Sequence, residues 1–265
     1  MCVRRGLLCC CLVYVISQPP SVRAEDAQLE ATQFWELGQK AMQQGLPDKA
    51  IGFYERSLAV DRGFRRSHLS LAAAHLQRKD EPKACAHLAE YLEAYPENLT
   101  VRERFAELLA RLHHLKEAGS QYEAVIAAVQ ELPVPAARGL VACHTRMVEL
   151  AEANEDSYCE HLHRGIGLYW LARKRSALGD AGEELPAQGL MCKAAAELTL
   201  ANQERPDEAR PCWYLYLVWT QLGQRQPALC RLRQADATAP FTHLTPAEQR
   251  GLCLACQTCA ADCPR

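Results

Sequence analysis

The chain has almost no net charge: 30 Lys and Arg stand against 32 Asp and Glu, giving −2 at pH 7. A nucleic-acid partner requires a basic stripe for phosphates, and the sequence offers none. Long apolar runs are also missing. Leu7 to Ile16 is the longest, far short of the roughly 18 residues a membrane-spanning helix needs. There is no Gly-rich phosphate loop, no G-x-S-x-G, no H-E-x-x-H, and no carboxylate pair in a context that singles it out for acid–base work. An enzyme would have no residue to stand on. Aromatics are scarce at 7%, and abundant Ala, Leu, Glu and Gln favour helix. With 49% apolar and 23% charged residues over 265 positions, collagen-like and disordered classes are excluded. The length suffices for one large or two small cores.

Cysteine is plentiful, with 14 in the chain. Cys9, Cys10 and Cys11 lie in a segment that reads as a signal peptide over 1–24. Arg4 and Arg5 form a charged start, Leu7 to Ile16 an apolar middle, and Val22-Arg23-Ala24 a small-residue cleavage site. Export to a periplasm or the exterior is the expectation. Val3-Arg4-Arg5-Gly6-Leu7-Leu8 resembles a twin-arginine start, although ordinary secretion signals also contain adjacent arginines. Leu8 before Cys9 disfavours a lipoprotein cut. Cleavage after Ala24 would remove three arginines and no acid, leaving a chain of charge −5.

Downstream, small and large residues recur at an interval of 34. Leu37, Leu71 and Phe105 share it, as do Gly38, Ala72 and Ala106, then Ala50, Ala84 and Ala118, then Tyr54, Leu88 and Tyr122. Near the other end Ala194 and Ala228, Leu198 and Leu232, Ala201 and Ala235, and Pro206 and Pro240 repeat it. Two antiparallel helices cross where a small residue on each lets the backbones approach, and a large residue fills the groove beside them. Pro96, Pro206 and Pro240 end second helices. This pattern resembles the tetratricopeptide repeat family. The resemblance implies an all-α, right-handed superhelical solenoid of stacked helix–turn–helix pairs, in which each pair covers its neighbour.

The expected organisation is a signal peptide over 1–24, repeats over 25–132, an irregular repeat with an insertion over 133–185, further repeats over 186–242, and a capping helix with a Cys-rich tail over 243–265. The interval from Ala118 to Ala194 is two periods plus eight. The surplus is expected in a loop at Gly179–Pro186. Gly165 and Gly167 leave open whether one helix or two lies around them. Thr245-Pro246-Ala247-Glu248 reads as a capping box opening the last helix. Asn98-Leu99-Thr100 is a glycosylation sequon at a pair junction, meaningful in a eukaryotic source.

In the family, first helices line a concave face that takes an extended peptide or a partner helix. The alignment implies Trp35, Gln39, Met42, Leu69, Gln77, Glu103, Glu107, Arg111, Trp213 and Thr220 on that face. Trp35 and Gln39 stand where a carboxylate-clamping subgroup has a lysine and an asparagine, so a chaperone-tail clamp is not expected. Trp35 and Trp213 read either as anchors for a partner or as packing against a neighbouring pair or the capping residues.

Six further cysteines, Cys85, Cys143, Cys159, Cys192, Cys212 and Cys230, are scattered over helices and read as small buried residues or disulfide partners. The tail Cys253, Cys256, Cys259, Cys263, Pro264 resembles the bacterial ferredoxin run, whose thiolates hold an iron–sulfur cluster. No second run supplies the missing ligand set. At 100° per residue the four fall within one helical face. Zinc on four thiolates is a variant of the idea, and covalent haem is excluded by Gln257. Cys159 and His163 also share a helix face at ligand spacing, a weak metal signal. Two functions follow. The first is an exported protein-interaction scaffold without catalysis, cofactor or nucleic-acid partner. The second is an exported redox or metal module built on the C-terminal thiols.

Overall fold

A computed structural model describes residues 20–131, 137–178 and 186–261. Twelve α-helices, one short 3-10 turn and no strand occur among these residues. The helices are α1 Pro20–Gln43, α2 Pro47–Val60, α3 Arg66–Gln77, α4 Glu81–Ala94, α5 Leu99–Arg111 and α6 Leu115–Gln130. They continue as α7 Ala137–Ala153, α8 Ser157–Leu178, α9 Ala187–Glu204, α10 Ala209–Gln221, α11 Arg225–Thr238 and α12 Pro246–Ala261. The all-α class and the helix pairs implied by the sequence are present. α1 begins inside the segment read as a signal peptide: its backbone is helical from Pro20, a residue tolerated in a first helical turn. α8 runs unbroken through Gly165 and Gly167. Residues 1–19, Pro133-Val134-Pro135, Gly179 to Leu185 and Cys263 lie outside the described residues. The helices gather into two compact units, one through Tyr91 and one from Leu92.

In the first unit the small-residue column does what helix crossing demands. A Cβ on Gly38 would stand 2.3 Å from Cε1 of Tyr54, so the ring occupies the space that glycine leaves. Tyr54, Ala50, Ile51, Ala41, Leu71 and Ala74 form one buried cluster, with Trp35, Met42 and Phe53 packed against it. Buried hydroxyls beside it are neutral and satisfied: Ser57 Oγ donates to the Ala31 carbonyl at 2.8 Å, and Ser67 Oγ to Ser57 Oγ at 2.9 Å.

The turns inside the pairs repeat more faithfully than any residue type. Gly45, Lys79, His113, Glu155 and Gly223 all have positive φ, between 54° and 72°. At each, the backbone N–H bonds back three positions and the next N–H bonds back five, as with Gly45 to Met42 and Leu46 to Ala41. This left-handed closure satisfies the last carbonyls of the first helix. The first three turns are one period apart, the fourth follows after a period plus eight, and the fifth after two further periods. The surplus of eight therefore precedes the turn of the α7–α8 pair. The expectation that it sits at Gly179–Pro186 is corrected accordingly.

A second column supports this register. Residues 19 apart face each other across a pair: His68 with His87, Arg102 with Gln121, and His144 with His163. α7–α8 is thus a full fourth pair. Two periods from Ala118 to Ala194 would require one more helix than the described residues contain. α8, at 22 residues, supplies the missing partner. A Cβ on its Gly165 would stand 2.6 Å from Leu198 Cγ of α9, the same relation that joins Gly38 to Tyr54. α9 keeps second-helix residues and uses α8 as its first helix.

α10 and α11 form the last pair, and α12 closes the second unit. The capping box is realised: Glu248 N–H donates to Thr245 Oγ1 at 3.2 Å, and Thr245 N–H to Glu248 Oε2 at 2.9 Å. α12 also reaches back to α6, where Thr245 Oγ1 donates to Gln130 Oε1 at 2.6 Å and Arg250 pairs with Glu131.

Candidate functional site

The residues implied for the partner face fall into three places. In the first unit, Trp35 and Gln39 on α1 both donate to Ser70 Oγ of α3, at 2.9 and 3.1 Å. Trp35 also meets Phe64 edge-on. Its indole is half-buried and its one donor is used, so it packs the α1–α3 junction. Met42 lies against the same core, Leu69 is half-buried and Gln77 exposed.

At the far end of the second unit Trp213 is only 6% exposed. A Cβ on Gly251 of α12 would stand 2.8 Å from its Cζ2, and Tyr216 stacks on its other side. The expectation of Trp213 as an open groove residue is corrected, because α12 covers the face of α10 that carries it. Thr220 is exposed, and its hydroxyl donates to the Tyr216 carbonyl at 2.8 Å. With Tyr216, Leu232, Asp236, Cys256 and Cys259 it lines a cleft of about 540 Å³ between α10, α11 and α12.

The third place brings predicted residues together. Glu107 and Arg111 on α5 line a cleft of about 450 Å³ with Tyr122 of α6 and with Arg146, Glu149, Leu150 and Ala153 of α7. Ala110, Leu115 and Leu150 give it an apolar floor. Arg146 donates to Glu149 at 2.8 Å and stands 4.0 Å from Glu107. These carboxylates, Glu149 first, hold its guanidinium above its ordinary pKa. Tyr122 is buried at the back, its phenol pushed up chiefly by burial. Glu103, one turn before Glu107, is half-buried beside Cys143, and burial followed by Glu107 raises its carboxyl pKa. The α7 residues were missed because the register of the fourth pair was not known. Glu149 and Ala153 follow Glu107 and Arg111 by one period plus eight. The spacing of 19 shared by His68–His87 and His144–His163 was the signal that could have placed them.

The cysteines have a different setting. Cys253, Cys256 and Cys259 sit on the unbroken helix α12, not in a loop that could wrap a cluster. The Cys256 thiol is pushed up to about 11, by burial and then by Asp236. A thiol held protonated is a poor metal ligand and a poor nucleophile. Cys143 and Cys159 are likewise raised to about 12 by burial. The Cys159 backbone N–H donates at 3.0 Å to the Asp156 carboxylate, which caps the start of α8. His163, its expected companion in a metal site, points instead to His144 and Glu123.

A buried polar cluster joins α6, α7, α8, α10 and α12. Arg210 donates to Glu248 at 3.0 Å and to both oxygens of Glu123 at 3.0 and 3.2 Å. Burial works against its charge, but Glu248 and Glu123 outweigh it and raise its pKa. Tyr214 donates to Glu248 at 2.9 Å and accepts from Gln130 at 3.1 Å. His163 lies 3.5 Å from Glu123 and 3.0 Å from His144. Burial, then Arg210, holds His163 down to about 3. The histidine end borders a smaller cleft of about 220 Å³ between α7 and α8. The Arg210 end is buried, and its role is to lock helices together.

No protein-family model and no curated protein matches the chain. Among solved structures it is similar to PilF of Pseudomonas aeruginosa, at 13% identity over 85% of this chain and 97% of that one, with a TM-score of 0.40. It is similar to YrrB, described as a TPR protein with an unusual peptide-binding site, at 14% identity over 91% and 98%, TM-score 0.34. It is similar to MamA of Desulfovibrio magneticus, at 13% over 80% and 96%, TM-score 0.35. At such scores these likenesses carry no inference about function. The tetratricopeptide-like character of this chain rests on its own helix pairs, crossing residues and turns.

Proposed function

We propose that the protein is an exported, non-catalytic interaction scaffold that takes an extended peptide or a partner helix in the α5–α6–α7 cleft. The observation that supports this is the convergence there of Glu107 and Arg111 from α5 with Arg146 and Glu149 from α7 around an apolar floor. An apolar floor with charges of both signs at the rim fits a segment that presents one apolar side chain between an acidic and a basic residue. Arg111 is exposed, so Arg111→Glu is expected to leave the fold intact while inverting one side of the rim. Partners captured by the wild type are expected to bind the variant at least tenfold more weakly. Equal capture would refute the site. Export rests on the character of residues 1–24. N-terminal sequencing of protein recovered outside the cytoplasm is expected to begin at Glu25.

The redox reading has less support. Three of its four cysteines lie on a regular helix, and the thiol of Cys256 is raised rather than lowered.

A further inference from the structure

Val141, His144, Thr145 and Val148 recur at the spacing of one face of α7. With Leu168 and Leu171 of α8 they line the cleft of about 220 Å³ between the two helices. This is not the face of α7 that brings Arg146 and Glu149 to the α5–α6–α7 cleft. Gly167 keeps the space open, since a Cβ there would stand 3.3 Å from His144 Cβ. The four Val and Leu side chains are half-buried walls. The polar groups at the rim are already used. Thr145 Oγ1 donates to the Val141 carbonyl at 2.9 Å, and Arg164 pairs with Glu152 at 3.0 Å and Glu160 at 2.7 Å.

His144 also lines the cleft and is 0% exposed. Among the described residues its Nε2 is the one buried side-chain nitrogen or oxygen of this lining without a partner. Its neighbours decide what that nitrogen is. The Glu123 carboxylate, held by Arg210, only accepts, so His163 carries its proton on Nε2, 3.5 Å away. Nδ1 of His163 is then bare and accepts from Nδ1–H of His144 at 3.0 Å. His144 has no second proton to give, and its Nε2 is a lone pair. The reverse tautomers would set a bare His163 nitrogen against a carboxylate. Burial, before any neighbouring charge, keeps both imidazoles neutral.

We propose that the α7–α8 cleft binds a free, neutral, single-ring phenol or alcohol, whose hydroxyl donates to Nε2 of His144 while its ring lies between the Val and Leu walls. An apolar cavity of about 150 Å³ takes one benzene, so this cleft takes a ring with a short substituent. A charged ligand finds no counter-ion, because the rim arginine is spent on glutamates. A metal ion finds one imidazole nitrogen where it needs three or four ligands. A peptide backbone would bring polar groups that gain no partner here. Glu123 and His163 are positioning residues that act through His144.

The test is nitrogen-15 NMR of the full-length protein at about pH 7.5, where ordinary histidines are mostly neutral too. Nε2 of His144 is expected to resonate as a pyridine-type nitrogen and its Nδ1 as a pyrrole-type one; a protonated Nε2 overturns the proposal. p-Cresol is expected to bind with a Kd of about 0.1–1 mM, and its methyl ether, which has no donor, at least tenfold more weakly. Equal binding of the two overturns it. Thr145 is exposed, so Thr145→Trp is expected to block the cleft and weaken p-cresol at least tenfold while the imidazole signals stay in place; unchanged binding means another site and overturns it. Glu123→Gln keeps an oxygen for Arg210 and turns an amide donor toward His163. Both tautomers then reverse, and the preference is expected to pass to the methyl ether; a folded variant that still prefers p-cresol overturns the positioning role. Tighter binding of N-acetyltyrosinamide than of p-cresol would give the cleft to a tyrosine of another protein, and the proposal of a free ligand would fall.

Discussion

The first and second units use the same crossing of helices but different cements. Around Tyr54 the first unit is held by apolar contact, small residues and neutral hydroxyl bonds. The second unit has its own large apolar cluster around Leu198 and Tyr214. Through it runs a buried ionic chain, Glu123–Arg210–Glu248, which ties α6, α10 and α12 together. A repeat array needs only neighbour-to-neighbour contact. The ionic chain adds contacts between positions far apart in sequence, and these make the closing helix part of the core instead of a loose end.

The largest effect that tests this contrast comes from Arg210→Met. It strands Glu248, which is 3% exposed, without a counter-ion. The expected cost is about 3–5 kcal/mol in denaturant unfolding. Hydrogen exchange should rise in α10–α12 and stay unchanged in α1–α3. A uniform rise in both units would overturn the contrast.

Next in size are the crossings common to both units. Gly38→Ala and Gly165→Ala each drive a methyl into a filled space, against Tyr54 or Leu198. Each is expected to lower stability by about 1–3 kcal/mol. If Gly165→Ala were neutral while Gly38→Ala was costly, α8 would not be the true partner of α9.

Acid should separate the units. His163 is neutral in the folded chain, with a pKa held to about 3, and has an ordinary value near 6.5 when unfolded. Its folded pKa is depressed, so its contribution is complete above about pH 6.5 and is lost as pH falls from there toward 3. At pH 5 the loss is about 2 kcal/mol. His144, also buried and depressed, adds in the same direction. In the first unit His87 is held to about 4, and His68 and His75 are also lowered, each chiefly by burial. At pH 5 that unit is therefore destabilised too, and the two diverge between about pH 4 and pH 3, where His163 goes on losing after His87 has taken its proton. Unfolding followed at pH 7.5, about pH 5 and about pH 3.5 by exchange in each unit measures both. An acid-insensitive second unit would mean that water reaches the His144–His163 pair.

The smallest effect concerns the turns. Lys79→Gly and Glu155→Gly relieve a left-handed backbone at a non-glycine residue. Each is expected to stabilise its unit by about 0.5–1 kcal/mol, and Gly45→Ala to destabilise by a similar amount. Thermal midpoints compared with the wild type would show the sign.

Much of the repeat was readable in the chain, and the unreadable parts have physical causes. Gly38, Ala72 and Ala106 stood out because helix crossing tolerates few side chains at that place. The turn position did not stand out, because the left-handed conformation costs Lys79, His113 and Glu155 too little to force a glycine. Of the candidate site, Glu107 and Arg111 were found from their column, whereas Arg146 and Glu149 waited on the register of α7. For Trp213 the sequence left anchor and packing both open, and only the fold of α12 over it decides for packing.

The helices, their pairing and the crossing residues were written in the order of amino acids, since these depend on local periodicity and on steric limits that act within a single repeat. Folding had to be complete before α8 could serve two partners, before α12 could lock onto α6, and before some of the aligned face residues were covered and others left open. Those outcomes arise from contacts between distant segments, and burial, charge pairing and coverage exist only once the chain has closed on itself.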